Sequence, residues 1–175
     1  VIVRASQTGD ANILASPTVD QSFVVAKAAA TVTLGNLSAT YDGTAKNASA
    51  TTANPSGLIV TLTYDDSATA PSAAGSYAVV GSIADSNYRG SASGSLVIAK
   101  ANQTIAFGAP GAKTYGDAAF AVSATANSGL APTYSIVGGP ATIGGSTVTL
   151  TGAGTVVVRA AQSGDANYNP ATPVD

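Results

Sequence analysis

Short runs in which hydrophobic and polar residues alternate recur along the whole chain. Val, Ile, Leu, Tyr and Thr dominate these runs, and clusters of Gly, Pro, Asn, Asp or Ser separate them. Because a period of two places successive side chains on opposite faces, each run predicts a half-buried β-strand. Helix start and stop signals are missing, and Glu is absent. The predicted strands are Thr31–Leu34, Leu58–Tyr64, Ser76–Ile83, Ser95–Ala99, Thr104–Phe107, Phe120–Thr125, Thr133–Val137, Thr147–Thr151 and Thr155–Ala160.

The two ends of the chain carry nearly the same sequence. Val1–Asp20 reads VIVRASQTGDANILASPTVD, and Val156–Asp175 reads VVVRAAQSGDANYNPATPVD, an offset of 155 residues. Self-similarity at a fixed offset is the signature of a repeat protein. The sequence therefore predicts a tandem array with a 155-residue period.

A second level of repetition divides each period into two modules. The tripeptide Ala-Lys-Ala follows an apolar run at Ala26–Ala28 and again at Ala99–Ala101. Both modules then share three landmarks in the same order, a Tyr with Asp and Gly close behind it, an Ala-Gly step into an apolar strand, and an Asp-x-Asn-Tyr stretch. We expect residues 28–100 and 101–175 to be divergent copies of one unit. Short strands at this spacing favour small antiparallel sandwiches.

The module 101–175 stops short of a strand that its counterpart has. In the previous period the corresponding module closes with Gln21–Lys27, so residues 1–27 are expected to be the closing strands of a preceding Ig-like module. Module 101–175 is then expected to lack its final strand. An unpaired sheet edge promotes strand exchange, and it can be completed covalently by the next repeat or by another subunit. Covalent continuation is the simpler reading, because a donated strand would not require the duplicated ends.

Composition excludes several classes of function. Only 9% of the residues are charged, the formal net charge is −2, and Cys, His, Met and Trp are all absent. These absences remove thiolate zinc sites, disulfides and the usual general base of catalysis. An acidic chain lacks the basic stripe that nucleic-acid binding needs. No apolar run approaches the ~20 residues that span a bilayer. We expect no enzymatic activity, no nucleic-acid partner and no direct membrane insertion.

The Asp-x-Asn pairs are the candidate metal ligands. They occur at Asp85 and Asn87, at Asp165 and Asn167, and at Asp10 and Asn12. Oxygen-rich loops can bind Ca²⁺, but six to eight ligands are needed and further acids are missing. Turns in which these side chains bond their own backbone are the favoured interpretation. No other metal, cofactor or catalytic residue is predicted.

Tyrosines and lysines near these turns raise further hypotheses. Tyr88 and Tyr168 follow the turns directly and suit a buried ring whose hydroxyl bonds the backbone, with sugar stacking as the alternative. Lys27 and Lys100 mark the module junctions. Intramolecular isopeptide bonds are the alternative role for the four lysines, Lys27, Lys46, Lys100 and Lys113.

These motifs resemble repeats of very large bacterial surface proteins. Residues 28–100, with ATYDGTAK, AGSYAVVGSI, DSNYRG and LVIAKA, resemble the MBG or YDG-type repeats. Residues 101–175, with NQTIAFGAPGAKTYGDAAFAVSATANSGLAPTYS and AGTVVVRAAQSGDANYNPA, resemble the bacterial Ig-like (Big-type) repeats found beside them in adhesins. The resemblance implies secretion or the bacterial cell surface, and modules that are mostly stalk.

Together these observations predict an all-β protein of tandem Ig-like antiparallel β-sandwich modules in an elongated array. The expected function is a structural repeat segment of an extracellular stalk, fibre or adhesin. Its partners would be neighbouring repeats or subunits, joined head to tail by strand completion. The alternative is an adhesive module that binds protein or host and matrix glycans.

Overall fold

The computed structural model describes all residues 1–175, and it contains strands but no helix. The all-β, sandwich-type fold predicted from the sequence is confirmed. Since there is no helix, none is available to cross a membrane. The seventeen strands are β1 Ile2–Gln7, β2 Ser16–Ser22, β3 Ala28–Ala29, β4 Thr31–Gly35, β5 Ser38–Thr40, β6 Ser49–Ala53, β7 Val60–Tyr64, β8 Gly75–Ile83, β9 Tyr88–Arg89, β10 Ser91–Ala99, β11 Ile105–Phe107, β12 Phe120–Ala121, β13 Ala124–Ala126, β14 Thr133–Gly138, β15 Ala141–Gly144, β16 Thr147–Leu150 and β17 Val157–Ala161.

The first 27 residues form an isolated antiparallel hairpin. Strands β1 and β2 pair from Ile2 opposite Ser22 to Gln7 opposite Ser16. Every residue of both strands is exposed, including the apolar Ile2, Val3 and Val19. A two-stranded hairpin without a packed face is marginal in water. The hairpin therefore presents an apolar face that no other part of the chain covers.

Residues 28–100 fold around a four-stranded sheet in the order β5-β10-β8-β7. The two-stranded sheet β4-β6 packs across this sheet, with Leu34 of β4 and Leu37, which follows β4, against the core. Gly81 and Gly94 allow this approach, because a Cβ on Gly81 would lie 2.9 Å from Leu34 and one on Gly94 3.1 Å from Leu37. The core between the layers consists of Ala48, Tyr64, Val79, Leu96 and Ile98, of which Val79 and Leu96 are completely buried.

Two strand pairs in this module are parallel, a detail that the alternation pattern did not reveal. Strand β10 pairs with β5 in parallel on one side and with β8 antiparallel on the other. Strand β3, at the start of the module, pairs in parallel with β9. The first strand of the module, β3, is thereby hydrogen-bonded to β9 near its end, and the last strand, β10, is hydrogen-bonded to β5 nearer its start.

Residues 101–175 form three small sheets, β11-β13, β12-β16-β15 and β14-β17. Their core is smaller than that of residues 28–100, with Val122, Val148 and Val158 buried and Phe107, Tyr134 and Ile136 packed around them. The segment 108–119 contains no strand, although its Tyr115 aligns with Tyr41, which directly follows β5. Downstream of β17, Val174 forms an antiparallel bridge to Ala160.

Most of the predicted strands are present, with differences at three kinds of position. The predicted strand Phe120–Thr125 is split into β12 and β13, because β12 pairs with β16 whereas β13 pairs with β11 in a different sheet. Strand β10 begins at Ser91, earlier than its apolar part predicts. Strands β3, β5, β6, β9 and β15 were not predicted, and the expected closing strand Gln21–Lys27 is a strand only as far as Ser22, the end of β2. Strands β5 and β6 consist of Ala, Ser and Thr and carry no large apolar residue.

Candidate functional site: the module junction

The three Asp-x-Asn stretches form the same turn. Asp85 Oδ1 accepts hydrogen bonds from the backbone N–H groups of Asn87 and Tyr88, at 2.7 and 2.9 Å. Asp165 Oδ1 accepts them from Asn167 and Tyr168, at 2.7 and 2.8 Å. In the first hairpin, Asp10 Oδ1 accepts hydrogen bonds from the backbone N–H groups of Asn12 and Ile13. In each case one carboxylate oxygen holds the backbone of the turn, as an Asx turn does.

Glycine precedes this turn in two of the three copies because the backbone requires it. Gly164 has a φ of +75°, and a Cβ there would lie 2.3 Å from the carbonyl oxygen of Tyr168. Gly9 shows the same conformation, with a φ of +72°. A side chain at either position would meet both the strain of the left-handed region and a backbone clash.

The turns at Asp85 and Asp165 also hold the segments that lead into their own modules. Lys27 Nζ donates to the carbonyl oxygen of Asp85 at 2.7 Å, and Lys100 Nζ donates to that of Asp165 at 2.5 Å. The residue after each lysine also bonds its turn in the same way. The N–H of Ala28 donates to the carbonyl oxygen of Asn87, and the N–H of Ala101 donates to that of Asn167. We call this repeated arrangement of lysine, alanine and Asp-x-Asn turn the lysine clamp.

At the junction between residues 28–100 and 101–175, the turn additionally contacts the preceding module. Asn167 Oδ1 accepts a hydrogen bond from the N–H of Ala74 at 2.9 Å. The ring of Tyr168 meets the ring of Tyr41 edge to face, with 5.3 Å between centroids and 82° between planes. Aromatic pairs favour this geometry. The Asp-x-Asn-Tyr stretch therefore joins one module to the next.

A buried amide network supports this junction from inside residues 101–175. Gln103 is 5% exposed, and its Nε2 donates to Gln162 Oε1 at 2.7 Å and to the backbone oxygen of Asn169 at 2.8 Å. Its Oε1 accepts a hydrogen bond from Ser128. Buried amides need such partners. Gln103 was not predicted from the sequence, where its only distinguishing feature is that it lies three residues after the junction lysine Lys100.

The tyrosines after the turns act differently from the prediction. The hydroxyl-to-backbone bond expected at Tyr88 and Tyr168 occurs instead at Tyr64, Tyr77 and Tyr134. Tyr64 accepts the N–H of Ala48 at 2.9 Å, and Tyr134 accepts that of Ala124 at 2.6 Å. The rings of Tyr64 and Tyr134 pack in the two cores. The ring of Tyr168 lies between the modules, where it contacts the ring of Tyr41.

The candidate calcium ligands lie in these turns without gathering further acids. Asp85 with Asn87 and Asp165 with Asn167 use one Asp oxygen each on the backbone, and Asn167 uses its side-chain oxygen on Ala74. No cluster of three or more His, Cys, Asp or Glu side chains that could hold a metal ion occurs in the chain. The sequence favoured a structural turn over a calcium site at these residues, and a calcium titration is the measurement that tests this alternative.

The remaining lysines have local partners. Lys46 Nζ lies 2.5 Å from Asp42 Oδ2, and this carboxylate also accepts hydrogen bonds from Thr44. The hydrogen bond from Lys46, followed by those from Thr44, holds the pKa of Asp42 well below its usual range. Lys113 Nζ lies over the ring of Phe120, 4.6 Å from its centroid.

An Arg–Asp pair repeats at the offset of the sequence repeat. Arg4 binds Asp20 through two hydrogen bonds of 2.7 Å, and Arg159 binds Asp175 through bonds of 2.6 and 2.7 Å. Each guanidinium lowers the pKa of its aspartate. The bridge between Val174 and Ala160 likewise repeats the pairing of Val19 with Ala5. Residues 157–175 therefore begin the same hairpin that residues 2–22 complete.

Residues 30–102 match the MBG domain. The MBG-matching range contains β4 to β10 and ends just past Lys100. The core, the parallel pair β5-β10 and the turn at Asp85 all lie inside this MBG-matching range. No curated protein and no solved structure gives a significant match to the chain.

Proposed function

We propose that this chain is a structural repeat segment of an extracellular bacterial stalk, fibre or adhesin. In this proposal an MBG-type module alternates with a bacterial Ig-like module at a 155-residue period. The MBG domain is typical of bacterial surface proteins, which supports a location outside the cell. The proposal rests on one observation above all, that the lysine clamp occurs twice with the same geometry.

The clamp leaves little free linker between modules. Strand β10 ends at Ala99, Lys100 and Ala101 are hydrogen-bonded to the turn of the following module, and Gln103 is buried. A linker that folds into its own module cannot act as a flexible spacer. The contacts of Asn167 and Tyr168 with the preceding module restrict rotation further. A defined angle at each junction, repeated many times, yields an extended object of regular shape.

Small-angle X-ray scattering tests this proposal. Proteins that carry one, two and three 155-residue periods in one polypeptide are compared. The maximum dimension should increase by the same increment with each period, because each junction fixes its neighbours. A maximum dimension that grows much more slowly than the number of periods would contradict a stalk.

Antibodies against residues 28–100 should label intact cells of the source bacterium, and labelling only after lysis would contradict the proposed location outside the cell.

A further inference from the structure

Four triplets of the form Asn-x-Ser or Asn-x-Thr occur in the chain. They begin at Asn36, Asn47, Asn54 and Asn102. This pattern is the acceptor for N-linked glycosylation, provided that the middle residue is not proline. Pro55 stands in the middle of the third triplet and rules it out. Because such triplets also arise by chance in Ser-rich sequence, the local structure has to distinguish sites from coincidences.

Asn36 and Asn47 have the same local setting. Each is an exposed loop residue two positions before a strand. The serine of each triplet is the first residue of that strand, Ser38 in β5 and Ser49 in β6. Strand β5 lies at the edge of its sheet, and β6 belongs to a sheet of only two strands. Both triplets are therefore at accessible strand ends.

The middle residues of these two triplets hold the backbone in place. Leu37 packs against the core of residues 28–100, and Ala48 is part of that core, with 6% of its surface exposed. The N–H of Ala48 also donates to the hydroxyl of Tyr64 at 2.9 Å. The fold is anchored at the residue after each asparagine, so a bulky group on the asparagine itself displaces no core side chain.

Both asparagine amides are free of competing contacts. Within residues 36–49, the side chains that form hydrogen bonds are those of Asp42, Thr44 and Lys46. Asn36 has a φ of +55°, a conformation that Asn adopts more readily than most residues. That turn explains why Asn suits position 36. Neither a hydrogen bond nor a left-handed backbone requires Asn at position 47.

The two amides lie on the same part of the module surface. Gly35 pairs with Ser49 where β4 and β6 meet the loops, so Asn36 and Asn47 flank the same end of this two-stranded sheet. Their shared setting and their proximity make one exposed patch with two acceptors.

The fourth triplet lacks this freedom. Asn102 Oδ1 accepts a hydrogen bond from Asn169 Nδ2 at 2.8 Å, and Gln103 belongs to the buried amide network. Asn102 also lies two residues after Lys100, whose Nζ bonds the turn of the lysine clamp. A bulky group on Asn102 would displace contacts that join the linker to its module. This triplet is therefore a control within the same chain.

We propose that Asn36 and Asn47 are acceptor sites for N-linked sugar. The donor is an activated sugar whose anomeric carbon carries a phosphate ester as the leaving group. The amide nitrogen bonds to the anomeric carbon, the bond from that carbon to the phosphate oxygen breaks, and the amide proton passes to a base of the transferring enzyme. This chain supplies only the acceptors.

Bound sugar would hydrate a surface that has few charges. Charged residues make up 9% of the chain and the net charge is −2. A net charge near zero promotes association, whereas a sugar on Asn is bulky and solubilising. The inference goes beyond the proposed function, and only one consequence rests on it: in a 155-residue array the same sugar patch recurs in every period.

Peptide mass mapping of the protein isolated from the source bacterium tests the assignment. Trypsin, which cuts after Lys and Arg, separates the two acceptors and the control into peptides 28–46, 47–89 and 101–113. The first two should carry the added mass of a sugar, and the third should be unmodified. Absence of sugar from either of the first two peptides, or equal modification of all three, overturns the inference.

Serine variants made in the same cells test whether the triplet itself is the acceptor. Ser38→Ala should remove the sugar from peptide 28–46, and Ser49→Ala should remove it from peptide 47–89, because the hydroxyl is part of the acceptor pattern. Ser56→Ala, in the proline-containing triplet, is the matched control and should leave peptide 47–89 modified.

Circular dichroism melting of the three variants shows whether they keep the fold. If Ser38→Ala or Ser49→Ala retains its sugar, or Ser56→Ala loses it, the assignment is wrong. Asn47→Gln provides a second removal of the same acceptor and should match Ser49→Ala. Unmodified peptides would leave the scattering result on joined periods unchanged, so the two proposals fail separately.

Discussion

At the scale of single residues, one aspartate oxygen and one lysine determine how a module begins. The aspartate folds the turn through two backbone N–H groups, and the lysine binds the outward carbonyl oxygen of the same aspartate. Sequence reasoning could predict the turn, because Asp and Asn bond nearby backbone. It could not predict the partner of the lysine, since Lys100 and Asp165 lie 65 positions apart.

Gly164 is the residue at which this turn tolerates least change. We expect Gly164→Ala to lower the free energy of unfolding by about 1–3 kcal/mol, because φ is positive and the new Cβ clashes with backbone. Gly144→Ala is the control, since a Cβ there meets nothing within 4 Å and φ is not in the left-handed region. Urea denaturation followed by circular dichroism measures both variants. Equal stability of the two variants would contradict the requirement for glycine at 164.

Asp42 should make stability depend on pH at the acidic end. Its pKa is lowered in the folded chain by hydrogen bonds from Lys46 and Thr44. A lowered pKa stabilises the fold above the unfolded value near 3.9, and this contribution is lost as the pH falls through the folded pKa. The urea midpoint of the native chain should therefore fall more steeply below pH 4 than that of Asp42→Asn. The urea midpoint of Lys46→Gln should also fall less steeply below pH 4 than that of the native chain. If neither variant changes this pH dependence, Asp42 is not its source.

At the scale of elements, strand β10 does most to hold residues 28–100 together. It pairs on both sides, and its two inward-facing apolar side chains, Leu96 and Ile98, are among the most buried in the chain. We expect Leu96→Ala to cost about 2–5 kcal/mol, because it leaves a cavity in a small core. Val97→Ala, on the outer face of the same strand, should cost less than about 1 kcal/mol. Denaturation monitored by tyrosine fluorescence compares the two, and similar losses would contradict the assigned core face.

The strands differ in how well the sequence alone could predict them. Alternation of branched residues was sufficient for β7, β8 and β17, because one face of each strand is buried. It missed β5 and β6, whose Ser, Ala and Thr side chains give no contrast between faces. The parallel pairing of β5 with β10 joins segments about sixty residues apart, and only tertiary packing determines it. In the same way, the internal repeat located the turns, whereas the contact of Tyr168 with Tyr41 required the structure.

At the scale of the whole molecule, the modules meet around the clamp through two hydrogen bonds, Ala74 N–H to Asn167 Oδ1 and Asn169 Nδ2 to the oxygen of Lys100, and through one ring pair. We expect Tyr168→Ala to loosen the junction by about 0.5–1.5 kcal/mol, the range of an aromatic pair. Tyr168→Phe should retain the junction, because the ring makes the contact. Residual dipolar couplings measured by NMR report whether residues 28–100 and 101–175 align as one body. If Tyr168→Phe separates the two alignments as much as Tyr168→Ala does, the hydroxyl group carries the junction and this assignment is wrong.

The parallel pairing of β5 with β10 has a mechanical consequence. In the array proposed above, tension would enter residues 28–100 near β3 and leave through the end of β10. Because β10 runs parallel to β5 on one edge, a pull on its carboxyl end slides the two strands along each other. Their hydrogen bonds are then loaded together in shear and cannot open one at a time, as they would in a hairpin pulled from its open end. The contact that alternation could not reveal thus makes the module suited to bearing load.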